Sequence, residues 1–442
     1  MKQIVRAVWL LSALLASAFS ADTDSYKGYK LYDVRPSTRA ELELLHRVSS
    51  ELDLDFWSLP LLDRSSSVMV SPWNEDSFTK YLREHNVRHR LLHNDVQSEN
   101  FSNQIRARTC RSIEKADERA TFDYFWTLDE IYKYMEYLRS KYPNLVYVKD
   151  YGRTHEDRPI KIITISTNGN VTGSHPVVLI DAGIQAREWA GHMSVIYLIH
   201  QLVERSTDNL DLLRNTDWVI MPVANPDGYV YTHEKNRFWS KNRSPTSLTC
   251  NGTDLSRNFP FRWKHYGDEC STDYAGHTPG SELETRALMQ LMAKCAPVTE
   301  VYLSVQSCGN SILYPYGYDN VEVPNKAELQ ELGEKATRAV RAINGPEYTV
   351  GSAAALHDPA NGRGDYIYGS LGVEYVYGLK LSCGATSGQG FMISSEEMQT
   401  INREAFEMFK VFGKFAGQKD FRKVPNRTWP GKRPGDKALK SR

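Results

Sequence analysis

The stretch from Pro176 to Leu202 constrains this chain more than any other. Pro176 to Ile184 is apolar or small apart from Asp181 and reads as a strand. It runs into a tight turn, Gln185-Ala186-Arg187-Glu188, and then into a helix whose apolar positions Met193, Ile196, Tyr197 and Leu202 recur at helical spacing. A strand, a turn and a helix in that order deliver polar side chains to the carboxyl edge of a sheet, where α/β proteins place their chemistry. Gln185, Arg187 and Glu188 are therefore the first candidates for a functional site.

The rest of the chain supplies the sheet and its cover. Strand-like runs at Leu145–Tyr151, Ile160–Ser166, Val177–Ile184, Trp218–Val223 and Val301–Gln306 alternate with helical segments at Ser281–Lys294, Ala327–Ile343 and Ser394–Phe415. The first helix of this unit is marked by a capping box, Thr127 with Glu130, and by an apolar stripe of Leu128, Ile131, Met135 and Leu138; Ser281 with Glu284 reads as a second box. Alternation at these lengths predicts an α/β domain over residues 121–416, a mixed, mostly parallel sheet with helices on both faces. Ahead of it, residues 21–96 carry strand-like runs at Tyr29–Val34, Ser67–Val70 and Arg90–Leu92 and helical ones at Thr38–Leu52 and Glu75–Glu84, two β-α-β passes that predict a small α+β domain. A polar linker, residues 97–120, separates the two and offers Arg106, Arg108, Arg111 and Arg119 to a trypsin-like protease.

Composition enters through the compartment. Residues 1–20 combine Lys2 and Arg6 with an apolar run from Val8 to Leu15 and small residues at Ala18 and Ser20, a secretory signal too short to span a bilayer. No later run reaches about 18 apolar residues, so no membrane span is expected. Secretion makes the six cysteines disulfide candidates and the Asn-x-Ser/Thr sites at Asn100, Asn170, Asn242, Asn251 and Asn426 glycan acceptors. Basic and acidic residues both number 54, so no broad field for nucleic acid is implied. The balance fails only in residues 417–442, where Lys419, Arg422, Lys423, Arg427, Lys432, Arg433, Lys437, Lys440 and Arg442 face only Asp420 and Asp436. Such a tail cannot bury enough apolar area to fold; it either binds acidic extracellular polymers electrostatically or is simply solvated.

Block by block, the motifs resemble those of the secreted metallocarboxypeptidases of the carboxypeptidase A/B family. Gln185-Ala186-Arg187-Glu188-Trp189 is similar to their zinc-binding turn, and Asp254-Leu255-Ser256-Arg257-Asn258 to the segment that clamps the substrate's terminal carboxylate. Asn225-Pro226-Asp227-Gly228-Tyr229, Asn236-Arg237-x-Trp239 and Leu313-Tyr314-Pro315-Tyr316-Gly317-Tyr318 fix the register between them. The resemblance runs from Tyr26 to Phe415. It implies an eight-stranded mixed sheet preceded by an activation propeptide.

Against that pattern, the positions that carry the family's chemistry differ. Gln185 and Gln306 stand where the family has histidine zinc ligands, leaving Glu188, and a carboxamide oxygen is a poor ligand beside an imidazole nitrogen. Ser240 stands at the oxyanion-stabilising arginine and Ser256 at the asparagine of the carboxylate clamp. Lys380 stands at the general-base glutamate, where a cation can neither accept a proton from water nor sit easily beside zinc. The loop Leu356–Ala360 lacks the family's mobile tyrosine.

The expectation is a secreted, carboxypeptidase-like pseudoenzyme without a zinc cofactor. Through Arg187, Arg257, Ser256 and Asp365 it would bind a peptide or protein with a free C-terminus, Asp365 giving an acidic pocket floor suited to a basic side chain. The alternatives are an active metallocarboxypeptidase with altered ligation, and a non-catalytic partner of a protease or of extracellular matrix acting through its surface and tail. Cys308 with His357 as base is the thiol pair on offer, but nothing in the sequence activates the thiol. The resemblance pairs Cys250 with Cys270 and favours Cys308 with Cys383. Because a buried carboxylate without a metal needs a cation, the Lys380 ammonium is expected near the vacated zinc position, hydrogen-bonded to Glu188, with Gln185 and Gln306 as further acceptors.

Overall fold

The computed structural model describes residues 26–52, 54–58, 60–97, 120–169, 174–356, 362–382 and 390–418. The secretory signal, the arginines of the linker, His357, Cys383 and the basic tail lie outside the described residues.

Residues 30–93 form a four-stranded antiparallel sheet of β1 (Lys30–Arg35), β2 (Asp55–Phe56), β3 (Ser66–Val70) and β4 (Arg88–His93) in the order β2-β3-β1-β4. Two helices cover it, Arg39–Glu51 and Glu75–Glu84, and Val34, Leu45, Val68, Val70, Phe78 and Leu82 fill the space between. Thr38 caps the first of them by accepting from the Glu41 N–H.

The large sheet holds β5 (Val146–Arg153), β6 (Pro159–Ile165), β7 (Val177–Ala182), β8 (Asp217–Met221), β9 (Thr299–Ser307), β10 (Ser311–Tyr314), β11 (Thr349–Ser352) and β12 (Tyr375–Leu381), ordered β11-β10-β12-β9-β7-β8-β6-β5. Its centre, β12-β9-β7-β8, is parallel; β5-β6, β6-β8 and β10-β12 are antiparallel. The period of two in a strand explains why β7 is apolar on both faces apart from Asp181. Val178, Ile180 and Ala182 face one core with the helices Trp189–Val203 and Ser395–Gln418. Val177 and Leu179 face a second, with Leu288 and Leu291 of the helix Leu283–Cys295. The central strand is buried on both sides, and its carboxyl end emerges between two helix layers.

The capping box at Thr127 and Glu130 is present. The second one is not. The helix there opens at Leu283 with Glu282 as an N-cap that makes no side-chain cap bond, and the Ser281 hydroxyl donates to the Glu282 carboxylate instead (2.6 Å). Glu284 turns inward, where with Glu282 it accepts from the Asn242 carboxamide at 3.1 and 2.8 Å. Asn242 is fully buried, so as folded it cannot serve as a glycan acceptor. Cys250 and Cys270 are bridged as expected, and Cys295 is a buried free thiol. Cys308 is also in a disulfide, which removes it as a nucleophile; its favoured partner, Cys383, lies outside the described residues.

Burial, reinforced by Asp227 and Glu282, pushes Glu284 up from the ordinary 4.5 to about 7. The unfolded chain then loses this proton first, so the stability held by the neutral carboxyl is complete below pH 4.5 and disappears as pH rises through about 7. Glu284→Gln keeps the group neutral throughout and should gain on the order of 3 kcal/mol relative to wild type between pH 4.5 and pH 8. Denaturant titrations of both proteins at the two pH values check this, and an unchanged difference would contradict it.

Candidate functional site

The carboxyl ends of β7, β9 and β12 open into a cavity of about 380 Å³. Gln185, Arg187 and Glu188 reach it from the turn after β7, Gln306 from the end of β9, and Lys380 from β12. Parallel pairing sets Lys380 directly opposite Gln306, so the cation and the carboxamide share one rung of the sheet. Ser256 and Arg257 come from a short 3-10 turn, Leu255–Arg257, and Arg363 and Asp365 from the helix Arg363–Gly369. Ser240 is not among the described lining residues; its carbonyl accepts from the Ala186 N–H (3.0 Å).

Glu188 is 2% exposed, accepts from the Ser307 backbone N–H, and keeps one buried oxygen, Oε2, without a partner. Burial pushes its carboxyl up to about 7 against the pull of Lys380, Arg363 and Arg187. The expected hydrogen bond from Lys380 to Glu188 is absent: among the described residues no ion pair or hydrogen bond joins them. Lys380 acts on Glu188 through its field, while burial lowers its own pKa. The Lys380 stem runs beside Gly309, where a side chain would meet Lys380 Cβ and Cδ at 3.2 Å.

The arginines are brought together as the sequence implied, but each already has work. Arg257 Nε lies 3.2 Å from Asp254 Oδ2, and the Ser256 hydroxyl donates to Asp254 Oδ1 (2.6 Å). Arg187 is gripped from the small domain: Nη1 and Nη2 donate to Asp55 Oδ2 and Oδ1 at 2.6 and 2.8 Å, a bidentate fork. Phe391 stacks on the same guanidinium at 4.5 Å. Next to it, Trp57 buries itself on Phe238 and Phe391 with ring centroids 4.7 and 5.8 Å away, and Phe56, Trp57 and Ser58 line the cavity.

Asp365, expected as an acidic floor, lines the cavity but is already engaged. Both oxygens of Asp365 accept backbone N–H groups, from Gly317 and Tyr318, each at 2.8 Å, and burial pushes the carboxyl up to about 7. Another charge that lines the cavity is Arg363, a residue that motif matching passed over. Its Nε donates to the Ser304 hydroxyl (2.5 Å) and lies 3.2 Å from Asp181 Oδ2, and Tyr302 also donates to Asp181. The signal was in β7: an Asp inside an otherwise apolar run has to find a cation.

Comparison with known proteins fits this geometry. A zinc carboxypeptidase family model matches residues 131–408, and a carboxypeptidase activation peptide model matches residues 32–99. The chain belongs to the zinc carboxypeptidase family. Carboxypeptidase B of Helicoverpa zea is 34% identical over 92% of this chain and 98% of that one, and carboxypeptidase A1 of Bos taurus is 29% identical over 91% and 96%. Among solved structures, carboxypeptidase A from Helicoverpa armigera superimposes with a TM-score of 0.81 at 30% identity, covering 89% of this chain and 98% of that chain. Thrombin activatable fibrinolysis inhibitor gives 0.75 at 25% identity, over 89% and 99%. The small domain is thus the activation peptide of a carboxypeptidase fold.

In this carboxypeptidase-family chain the donor set does not fit zinc. Glu188 Oε2 has no hydrogen-bond partner, but beside it Gln185 and Gln306 offer only carboxamides and Lys380 adds positive charge to the same field.

The Asp55–Arg187 fork generates a prediction. Asp55→Ala leaves a buried guanidinium without its carboxylate and should cost about 3 kcal/mol. Adding Arg187→Ala should return part of that loss, and a double-mutant cycle read by denaturant unfolding measures the coupling. Strictly additive losses would mean that the fork does not hold the activation peptide in place.

Proposed function

We propose that this member of the family is a secreted protein that does not cleave peptides and instead binds a peptide or protein through a carboxylate. The observation that carries the reading is the rung on which Lys380 faces Gln306 at the end of β12. A general base must accept a proton, and a half-buried ammonium in the field of Glu188 cannot. Binding is supported by Arg187, which already holds a carboxylate bidentately, that of Asp55. Arg257 and Ser256, at the family's clamp for a terminal carboxylate, line the same cavity. The described residues include no helix long and apolar enough to cross a membrane. On this reading the basic tail, Lys419 to Arg442, adds affinity for acidic extracellular polymers.

Two measurements test it. Peptides of varied C-terminal residue, incubated with the purified chain, should lose no terminal amino acid above the buffer rate; release that Glu188→Ala abolishes would overturn the non-catalytic reading. Peptides immobilised with a free C-terminus should bind at least ~10-fold more tightly than their amidated forms, about 1.4 kcal/mol. Equal binding would overturn the carboxylate reading.

A further inference from the structure

One of the cations lining the cavity, Arg363, is buried and incompletely hydrogen-bonded. Arg363 is 5% exposed and lines the cavity, yet only its Nε is engaged; Nη2 is buried and has no hydrogen-bond partner. Asp181, the carboxylate nearest to it, is shared with the Tyr302 and Ser304 hydroxyls, and Asp365 is committed to two backbone amides. Gly362 and Gly364, on either side of Arg363, also line the cavity and put no side chain over the guanidinium. Arg187, Arg257 and Lys380 complete a wall of four cations with Arg363, against Glu188, Asp254 and Asp365.

Building on the carboxylate-binding reading, we propose that the cavity selects a peptide whose last residue is itself acidic. The terminal carboxylate faces Arg257 and Ser256, and the side-chain carboxylate of a glutamate or aspartate reaches Arg363. An apolar side chain would leave the buried Nη2 donor unpaired, and a lysine would meet a fixed guanidinium with no free carboxylate beside it. An acidic one supplies a charge-assisted partner to a donor that has none. The ligand is in effect a dicarboxylate, and a cavity of about 380 Å³ has room for one such residue.

The test is calorimetric titration of the full chain with acetylated tripeptides that end in Glu, Gln, Leu or Lys and are otherwise identical. It is run in parallel on Asp55→Ala, so that the activation peptide's own carboxylate does not mask the cavity. The Glu-ending peptide should bind at least ~10-fold more tightly than the other three. Arg363→Gln, checked for folding by its thermal melt, should erase that preference, and Arg363→Lys should keep part of it. Equal binding of all four peptides would overturn this inference and leave the carboxylate-binding reading standing. Binding of none by either chain would overturn both. The comparison among peptides on the unmutated chain decides the matter even if an Arg363 variant fails to fold.

Discussion

A charge buried where water cannot reach must be matched or given up, and that constraint organises the carboxyl edge of this sheet. Every carboxylate there has a different answer. Asp181 takes Arg363, Asp254 takes Arg257 and Ser256, Asp365 takes two backbone amides, and Asp55 crosses from the activation peptide to take Arg187. Glu188 alone keeps an unpartnered oxygen, and its raised pKa expresses that cost. Four cations of the chain, Arg187, Arg257, Arg363 and Lys380, line the cavity that Glu188 faces.

The same constraint ties the two domains together. A bidentate fork is directional but small, and the apolar cluster around it supplies the bulk of the contact. Leu31, Trp57 and Met69 from the activation peptide pack with Phe238, Phe391 and Met392 from the large domain. Burying a Trp, two Phe and two Met side chains takes a large apolar surface out of water and contributes more than the fork does. The fork sets the orientation, since Arg187 sits one residue before the carboxylate of the site and Phe56 follows Asp55 into the cavity.

How much of this was legible depended on whether the information was local. The helix at Thr127 and the central strand β7 could be read because a capping box and a run apolar but for Asp181 are local patterns with one physical meaning. The positions of Gln185, Glu188, Gln306 and Lys380 were legible through motif register, and the structure brings them to one cavity. What escaped was non-local. Strand β2 is two residues long and exists through its pairing with β3, so no periodicity announced Asp55. Arg363 belonged to no motif, and its partners are set by β7 and β9, which place Asp181 opposite Ser304. Ser281 and Glu284 have the spacing of a capping box, but the buried Asn242 carboxamide competes for Glu284 and wins. The Lys380–Glu188 bond was inferred from charge alone, and charge does not fix the path of a lysine stem past Gly309.

The central claim is that the chain's own cations, rather than a metal, answer the charge of this site. Zinc stoichiometry of the purified full chain, measured by elemental analysis after dialysis against zinc and then buffer, tests it most directly. The account predicts far less than one zinc per chain, with no change on Glu188→Ala, and a gain of bound zinc when Gln185→His, Gln306→His and Lys380→Glu are combined. About one tightly held zinc per unmodified chain, lost on Glu188→Ala, would contradict it.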